Sequence, residues 1–274
     1  MPSLCVQPRI VPLCALFLAS LSTGRLASQS AAGELESHIS QGIVDGSQRD
    51  PEGAARHFEA ALGIDSSSYQ ANWRLAVALI DIGKQTPDDI KSKPRDSLYA
   101  LAEVYARRAV DVALLEPDGH YALAAAIGRA SLTKSNRERV ARAREIRVEA
   151  LKTLELDPEH DKAHHVIGLW HAEIKRLSGV QRWFAKNLFG GDFLDLASWD
   201  LAVEHLERAV EIDPTVIYHH LDLAWVYVDT DYLAEAKVQL EAVDSLPVFD
   251  VLDPRYKEEA AILLQEILEE EGQD

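Results

Sequence analysis

Small and large apolar residues recur at three- and four-residue spacing along most of this chain. The segments AARHFEAALGID (54–65), IRVEALKTLELDP (146–158) and LAVEHLERAVEIDP (201–214) share the pattern, and each ends at an acidic residue or proline. A fourth segment, ARRAVDVALLEP (106–117), fits with one residue missing. This spacing places the apolar residues on one face of a helix. The pattern therefore predicts a chain built from amphipathic helices.

Each segment is followed by a second helical pattern in which an aromatic residue or Leu stands next to a small residue. These partners read YQANWRLAVALIDIG, HYALAAAIGRA, KAHHVIGLWHAEI and YHHLDLAWVYVD. Small residues let two helices approach closely. Proline removes a backbone donor. Pro117, Pro158 and Pro214 stand at the ends of three of the segments in the first paragraph, and they are expected to end those helices, each of which is the second helix of a repeat. The pattern indicates helix-turn-helix units stacked one on the next.

These units resemble the tetratricopeptide repeat, which has about 34 residues. The resemblance covers most of the chain after residue 34 and predicts repeats at 35–68, 69–119, 120–160, 161–216 and 217–250. The implied fold is all-α: a right-handed superhelix of about five helix-turn-helix repeats, capped by the C-terminal helix PRYKEEAAILLQEILEE. This domain spans 33–274, with insertions near 85–97, 133–145 and 177–197.

The first residues follow a different pattern. Arg9 precedes an apolar run from Ile10 to Leu21, and small residues follow it. This order predicts that 1–32 is a signal peptide or an N-terminal anchor, because the run is short for a bilayer span of about 20 residues. We expect export to the periplasm or the medium, with a mitochondrial presequence or an uncleaved anchor as alternatives. Cys5 and Cys14 both lie in this segment, so a cleaved protein would have no thiol.

Charge limits the classes of partner. The formal net charge is −17, which argues against a general nucleic-acid binder, because such proteins need clustered Lys and Arg. An anionic partner would require a local basic patch. The stretch TKSNRERVARAREIRVEALK (133–152) is one candidate. It is either a solvated helix face with pairs such as Glu138 and Arg142, or a contact for anionic headgroups or an acidic partner.

A second basic stretch, GLWHAEIKRLSGVQRWFAKNLFGG (168–191), carries four basic side chains, two Trp and two Phe. Ser178 and Gln181 predict a capping box, and Gly190 and Gly191 a helix end, so a short helix is expected from about 179 to 189. Two interpretations stay open. Its apolar face could pack on the neighbouring repeat while its basic face meets the protein's own carboxylates. Alternatively, the helix contacts a membrane or partner through Arg182, Trp183, Phe184, Lys186 and Phe189.

Repeat arrays of this kind line a concave groove with one face of their first helices. The groove is expected to be mostly apolar and to bind an apolar peptide or an acyl chain, unless the C-terminal helix or the insertions fill it. The residues projected into the groove are Ile39, Ile43, Trp73, Val77, Arg129, His165, Leu169, Leu221 and Trp225.

Catalytic and metal-binding patterns are weak. His160, His164 and His171 recur at four- and seven-residue spacing, but His164 and His171 occupy helix-packing positions and His160 follows a turn. A zinc site needs three or four converging ligands, so we expect no metal, no cofactor and no enzymatic activity. The sequence has no Gly-rich phosphate loop after a strand and no nucleophile elbow.

The fourth repeat resembles the family of regulators of microtubule dynamics. The motifs that carry the resemblance are Ile167-Gly168-Leu169-Trp170, Trp183-Phe184 to Gly190, and Ala202 to Leu206. The resemblance implies a non-enzymatic adaptor or scaffold that binds a protein partner. The alternative is a lipid- or membrane-surface-binding module with an apolar groove and a basic rim. Export would make a literal microtubule role doubtful.

Overall fold

The computed structural model describes residues 15–272, and the side chains of 29–272. Within that range the chain forms twelve α-helices and two short 3₁₀ turns, at 131–133 and 192–196, with no strand. The helices are α1 (Ala15–Ser47), α2 (Pro51–Ile64), α3 (Tyr69–Lys84), α4 (Lys93–Val112), α5 (Pro117–Ala130), α6 (Asn136–Leu156), α7 (Asp161–Arg176), α8 (Gly179–Phe189), α9 (Trp199–Ile212), α10 (Ile217–Asp229), α11 (Leu233–Ser245) and α12 (Asp253–Glu271).

The helices pack as consecutive antiparallel pairs. The pairs are α1 with α2, α3 with α4, α5 with α6, α7 with α9, and α10 with α11, and α12 packs on the last pair. The first helix of a pair also contacts the pair before it, so neighbouring units bury a continuous core. The expected all-α tetratricopeptide superhelix is confirmed.

Caps and prolines fix where helices begin. Asp50, Ser68, Ser92 and Ser135 each accept a backbone N–H at the start of a helix. Pro117 does not end α4, which already ends at Val112; it is the first residue of α5. The expectation that it would stop the preceding helix was therefore wrong, because proline also suits the first helical turn, where its missing N–H costs nothing.

The core depends on close approach between helices. A Cβ added at Gly168 of α7 would lie 2.7 Å from Leu206 Cγ and 3.2 Å from the Ala202 carbonyl oxygen of α9. Gly42 meets Phe58 of α2 in the same way. Gly128 is not needed for close approach, since a Cβ there would have only Ile146 within 4 Å, at 4.0 Å. Gly168 therefore lets α7 and α9 pack in contact despite the segment inserted between them.

That insertion and two others interrupt the repeats. Residues 85–92 join α3 to α4, and most of the stretch expected as an insertion at 133–145 is the first half of the long helix α6. Residues 177–198 hold α8 and a 3₁₀ turn between the two helices of the fourth pair. Of the predicted leader, 1–14 lie outside the described residues, and α1 runs from Ala15 into the first repeat.

Candidate binding surface

The first helices of three pairs and the capping helix α12 bring charged and aromatic side chains together on the inner side of the superhelix. We call these side chains the inner surface: Asp81, Lys84, Tyr121, Arg129, Tyr218, Asp222, Trp225 and Tyr256. They come from α3, α5, α10 and α12, and they are half-buried. Burial raises the pKa of Asp81 to about 6, although Lys84 opposes the shift. Burial also raises the pKa values of Tyr121 and Tyr218.

The start of α12 meets the end of α3 across this surface. Arg255 Nη1 donates to the Lys84 carbonyl oxygen at 3.0 Å, a contact between residues 171 positions apart in the chain. The Lys84 ammonium lies 5.5 Å from the Tyr218 ring centroid and 5.6 Å from that of Tyr256, within the range of a cation–π interaction. The capping helix therefore narrows the groove at this point.

Polar contacts join the fourth and fifth repeats at the inner surface and in the core below it. His165 Nε2 lies 3.2 Å from Asp222 Oδ2, and His219 Nε2 lies 3.0 Å from Asp161 Oδ2. Burial lowers the pKa of His219 to about 4 against the opposing effect of Asp161. Burial would raise the pKa of Asp222, but the His165 hydrogen bond and nearby cations lower it below its usual value. These pairs hold α7 against α10.

Three of the residues projected into the groove lie instead in the core. Leu221 is 2% exposed and packs among the apolar side chains of the last two repeats. Ile39 packs with Ala61 and Ala71, and the buried ring of His165 faces Asp222. Their side chains are not available to a partner. The projection erred at Leu221 because one residue turns a helix by about 100°, and it is Asp222 that faces inward.

The other projected residues are accessible to different extents. Trp73, Val77, Arg129, Leu169 and Trp225 are half-buried, and Ile43 is exposed. Arg129 donates to Asp88 of the inserted segment 85–92 at 3.1 Å. The sequence predicted a mostly apolar groove, but the inner surface carries several charged side chains. Asp81 could have been found, because it continues the four-residue spacing of the projected residues Trp73 and Val77. Tyr121 lies eight residues before the projected Arg129, on the same side of its helix.

A shallow cavity of about 280 Å³ lies where α10 meets α12. Trp225, Ile262 and Leu263 form its apolar part, whereas Arg255 and three glutamates supply charge. Burial raises the pKa of one of these glutamates, Glu259. This cavity extends the inner surface along the capping helix and combines apolar area with negative charge.

The short helix α8 has the predicted ends. Ser178 and Gln181 form the capping box, and Gly190 adopts a left-handed conformation with φ 70°. Lys186 pairs with Asp195 at 2.5 Å, as expected if the basic face meets the protein's own carboxylates. Arg182 instead donates to the carbonyl oxygens that end α7, at 3.1 to 3.3 Å.

Most of the apolar face of α8 does not pack on a neighbouring repeat, so the packing interpretation was wrong for these side chains. Ala185 is buried and Phe189 half-buried, in a cluster that includes Val140 and Leu194. The other apolar side chains of α8 are exposed: Val180, Trp183, Phe184 and Leu188. The small Ala185 provides the inward contact, which leaves the larger side chains outside.

The histidines of the fourth repeat are engaged by the protein. His160 caps α7 by accepting the Ala163 N–H at 3.1 Å, His164 contacts His205, and His171 accepts the Ser198 N–H at 3.3 Å. Across the described residues, no three His, Cys, Asp or Glu side chains converge as a metal site requires. Within 15–272, no helix is long and apolar enough to cross a membrane.

Solved structures of known proteins share this architecture. A thermophilic tetratricopeptide protein of Thermus thermophilus superposes with a TM-score of 0.60 at 18% identity, covering 83% of this chain and 99% of that one. The pilF protein of Pseudomonas aeruginosa gives a TM-score of 0.51 at 14% identity, covering 87% and 93%. At such identities the likeness establishes the fold alone.

Sequence comparison identifies the family. Regulator of microtubule dynamics protein 1 of Rattus norvegicus is 27% identical over 193 residues, which are 70% of this chain and 61% of that protein. The Bos taurus protein of the same name is 25% identical over 202 residues, 73% and 62%. The chain thus spans less than two thirds of these relatives. The model of the family "Regulator of microtubule dynamics protein 1-3" matches residues 39–268, and the chain therefore belongs to this family.

Proposed function

We propose that this protein is a non-enzymatic adaptor that binds a segment of a partner protein on its inner surface. The observation that carries the proposal is the inner surface itself, where half-buried charged and aromatic side chains of α3, α5, α10 and α12 meet. Within it, burial raises the pKa of Asp81 to about 6. Above that pH the ionised carboxylate lowers the stability of the fold, because its burial is incompletely compensated. Residues that lower stability in this way are concentrated at functional sites.

The chemistry of the surface favours a peptide over an acyl chain. Asp81 and Lys84 place charges at the groove, and an acyl chain would cover these charges without offering them a polar partner. Tyr121, Tyr218 and Trp225 offer rings with a polar edge, which suit peptide side chains and backbone. A segment with one Lys or Arg for Asp81 and an aliphatic side chain for the cavity beside Trp225 meets both requirements. An acyl chain in the groove stays the alternative.

Crosslinking mass spectrometry with the full chain in its source cells tests the proposal. We expect Trp225→Ala combined with Asp81→Asn to lose the principal crosslinked partner. Tyr232→Ala, which removes an exposed aromatic ring at the start of α11, should keep it. If the partners of the double variant match those of the wild type, the inner surface is not the binding site. A co-purifying lipid that depends on Trp225 would favour the acyl-chain alternative.

We further propose that residues 1–32 direct export, because of the apolar run after Arg9. The relatives are named regulators of microtubule dynamics, and an exported domain would not meet microtubules. A fusion of residues 1–34 to a reporter enzyme should be found outside the cytoplasm. Retention in the cytoplasm would contradict export and would restore a microtubule-related role.

A further inference from the structure

The helix α8 presents a ridge of apolar side chains to solvent. Trp183 is 56% exposed and Leu188 60%, and both lie on the same side as Val180 and Phe184. The Trp183 and Phe184 rings contact each other edge to face, with centroids 5.1 Å apart. Exposing two aromatic and two aliphatic side chains on three turns of helix is unfavourable unless another surface covers them.

The ridge is held in place by the rest of the fold. Arg182 ties α8 to the end of α7, and Arg144 of α6 donates to the Gly190 carbonyl oxygen at 2.8 Å. Ala185 packs into the cluster that contains Val140 of α6. Since α6 is the second helix of its pair, on the outer side of the superhelix, α8 is separate from the inner surface.

Basic side chains surround the ridge in an otherwise acidic protein. Residues 174–191 contain four basic residues and no acidic residue, in a chain of net charge −17. Three of the four also have partners in the fold: Lys186 pairs with Asp195, Arg176 pairs with Asp229, and Arg182 donates to backbone carbonyl oxygens. On α6, Arg137 and Arg144 lie three residues before and four residues after Val140, so both share the side that faces α8. Both are exposed, and neither forms an ion pair within the described part of the chain.

We propose that α8 docks this protein on the surface of an anionic lipid bilayer. Val180, Trp183, Phe184 and Leu188 are 46% to 67% exposed, so a surface that docks here must accept all four side chains. A bilayer does so: Trp and Phe enter the boundary between headgroups and acyl chains, while the flanking cations meet anionic headgroups. An amphipathic helix of this kind lies in the plane of the membrane without crossing it. The proposal is independent of a partner on the inner surface.

Vesicle flotation with the full chain tests the proposal. The wild type should float with vesicles of phosphatidylcholine and phosphatidylglycerol and much less with phosphatidylcholine alone. Trp183→Ser combined with Phe184→Ser should weaken binding at least about tenfold, because the variant has no aromatic rings at these positions to bury in the bilayer. The matched control is Val104→Ser with Val238→Ser, two residues of comparable exposure (51% and 60%) on α4 and α11. It should bind as the wild type does.

The basic rim and the depth of insertion have their own measurements. Arg137→Glu should reduce binding to the anionic vesicles, and added salt should reduce wild-type binding. Acyl chains carrying bromine should quench tryptophan emission in the wild type. In Trp183→Phe, which keeps an aromatic ring, the protein should still bind but lose this quenching.

Three results would overturn the proposal. The first is equal flotation of the wild type and the Trp183→Ser/Phe184→Ser variant, since residues 1–28 are unchanged and would then carry the binding. The second is quenching that persists in Trp183→Phe. The third is no flotation of the wild type, which would assign the ridge to a protein partner. Thermal melts of each variant confirm folding, which these exposed substitutions should leave intact.

Discussion

His164 and His205 face each other between α7 and α9, with their Nδ1 atoms 2.9 Å apart. His164 Nε2 donates to the Pro158 carbonyl oxygen at 3.1 Å. The His164 Nδ1 of a neutral ring must then accept, and His205 Nδ1–H donates. Burial lowers the pKa of His205 to about 4, and His164 adds to the effect. His171, whose ring stacks on His205 at 6.1 Å between centroids, also has a pKa of about 4 because of burial.

These histidines predict sensitivity to acid. Their pKa values are about 4 in the folded protein and about 6.5 in an unfolded chain. Their contribution to stability is therefore complete above about pH 6.5 and is lost as the pH falls toward 4. We expect the melting temperature to fall over this range, and less steeply in His205→Gln. Calorimetry at several pH values measures both slopes, and equal slopes would contradict the assignment.

Asp81 changes the stability of the fold with pH in the opposite direction to these histidines. Its folded pKa is raised to about 6 from 3.8, so its contribution to stability is complete below 3.8 and is lost as the pH rises through about 6. Asp81→Asn should therefore raise the free energy of unfolding at pH 7.5 by on the order of 1 kcal/mol, discounted for partial solvent exposure. Denaturant unfolding at pH 7.5 and pH 4 gives the comparison. A gain of equal size at both pH values would not fit a raised pKa.

Gly168 should tolerate no larger residue. In Gly168→Ala the new Cβ would lie 2.7 Å from Leu206 Cγ and 3.2 Å from a backbone oxygen, so α7 and α9 must separate at a cost of about 1 to 3 kcal/mol. Gly63→Ala is the matched control. It also lies in a helix, and nothing stands within 4 Å of the added Cβ, so alanine should raise stability by about 0.5 to 1 kcal/mol. Urea unfolding of both variants tests the contrast.

Arg95 is expected to hold the inserted segment 85–92 in place. Its buried guanidinium donates to the Pro87 carbonyl oxygen at 2.6 Å and lies 3.7 Å from Asp88 and 3.1 Å from Asp96. Arg95→Leu should release this segment and lower stability by roughly 1 to 3 kcal/mol, because the hydrogen bonds from the buried guanidinium to Pro87 and Asp96 are lost. Limited digestion with a lysine-specific protease should then cut faster after Lys91. Arg56→Leu, which removes one exposed ion pair, should be cut as the wild type is.

Much of the fold follows from the sequence because the information is local. The apolar spacing determined helices, and small residues such as Gly168 marked where paired helices touch. Ser178 and Gln181 set the start of α8, and Gly190 its end, since capping depends on residues within one turn. Apolar residues on one face of the last helix predicted the cap, and Ala260, Leu263 and Ile267 are buried there.

Only the tertiary structure decided which faces remain open. Whether Leu221 or Asp222 faces the inner surface depends on a rotation of about 100° around α10, which packing against α7 and α12 sets. The contact of Arg255 with the Lys84 carbonyl depends on the summed twist of all the repeats. The sequence of α8 is amphipathic, and it would be the same whether the apolar side of the helix were covered or exposed. It is exposed because Ala185 lets the opposite side seat against α6, and a residue's own sequence neighbours do not encode what lies across from it.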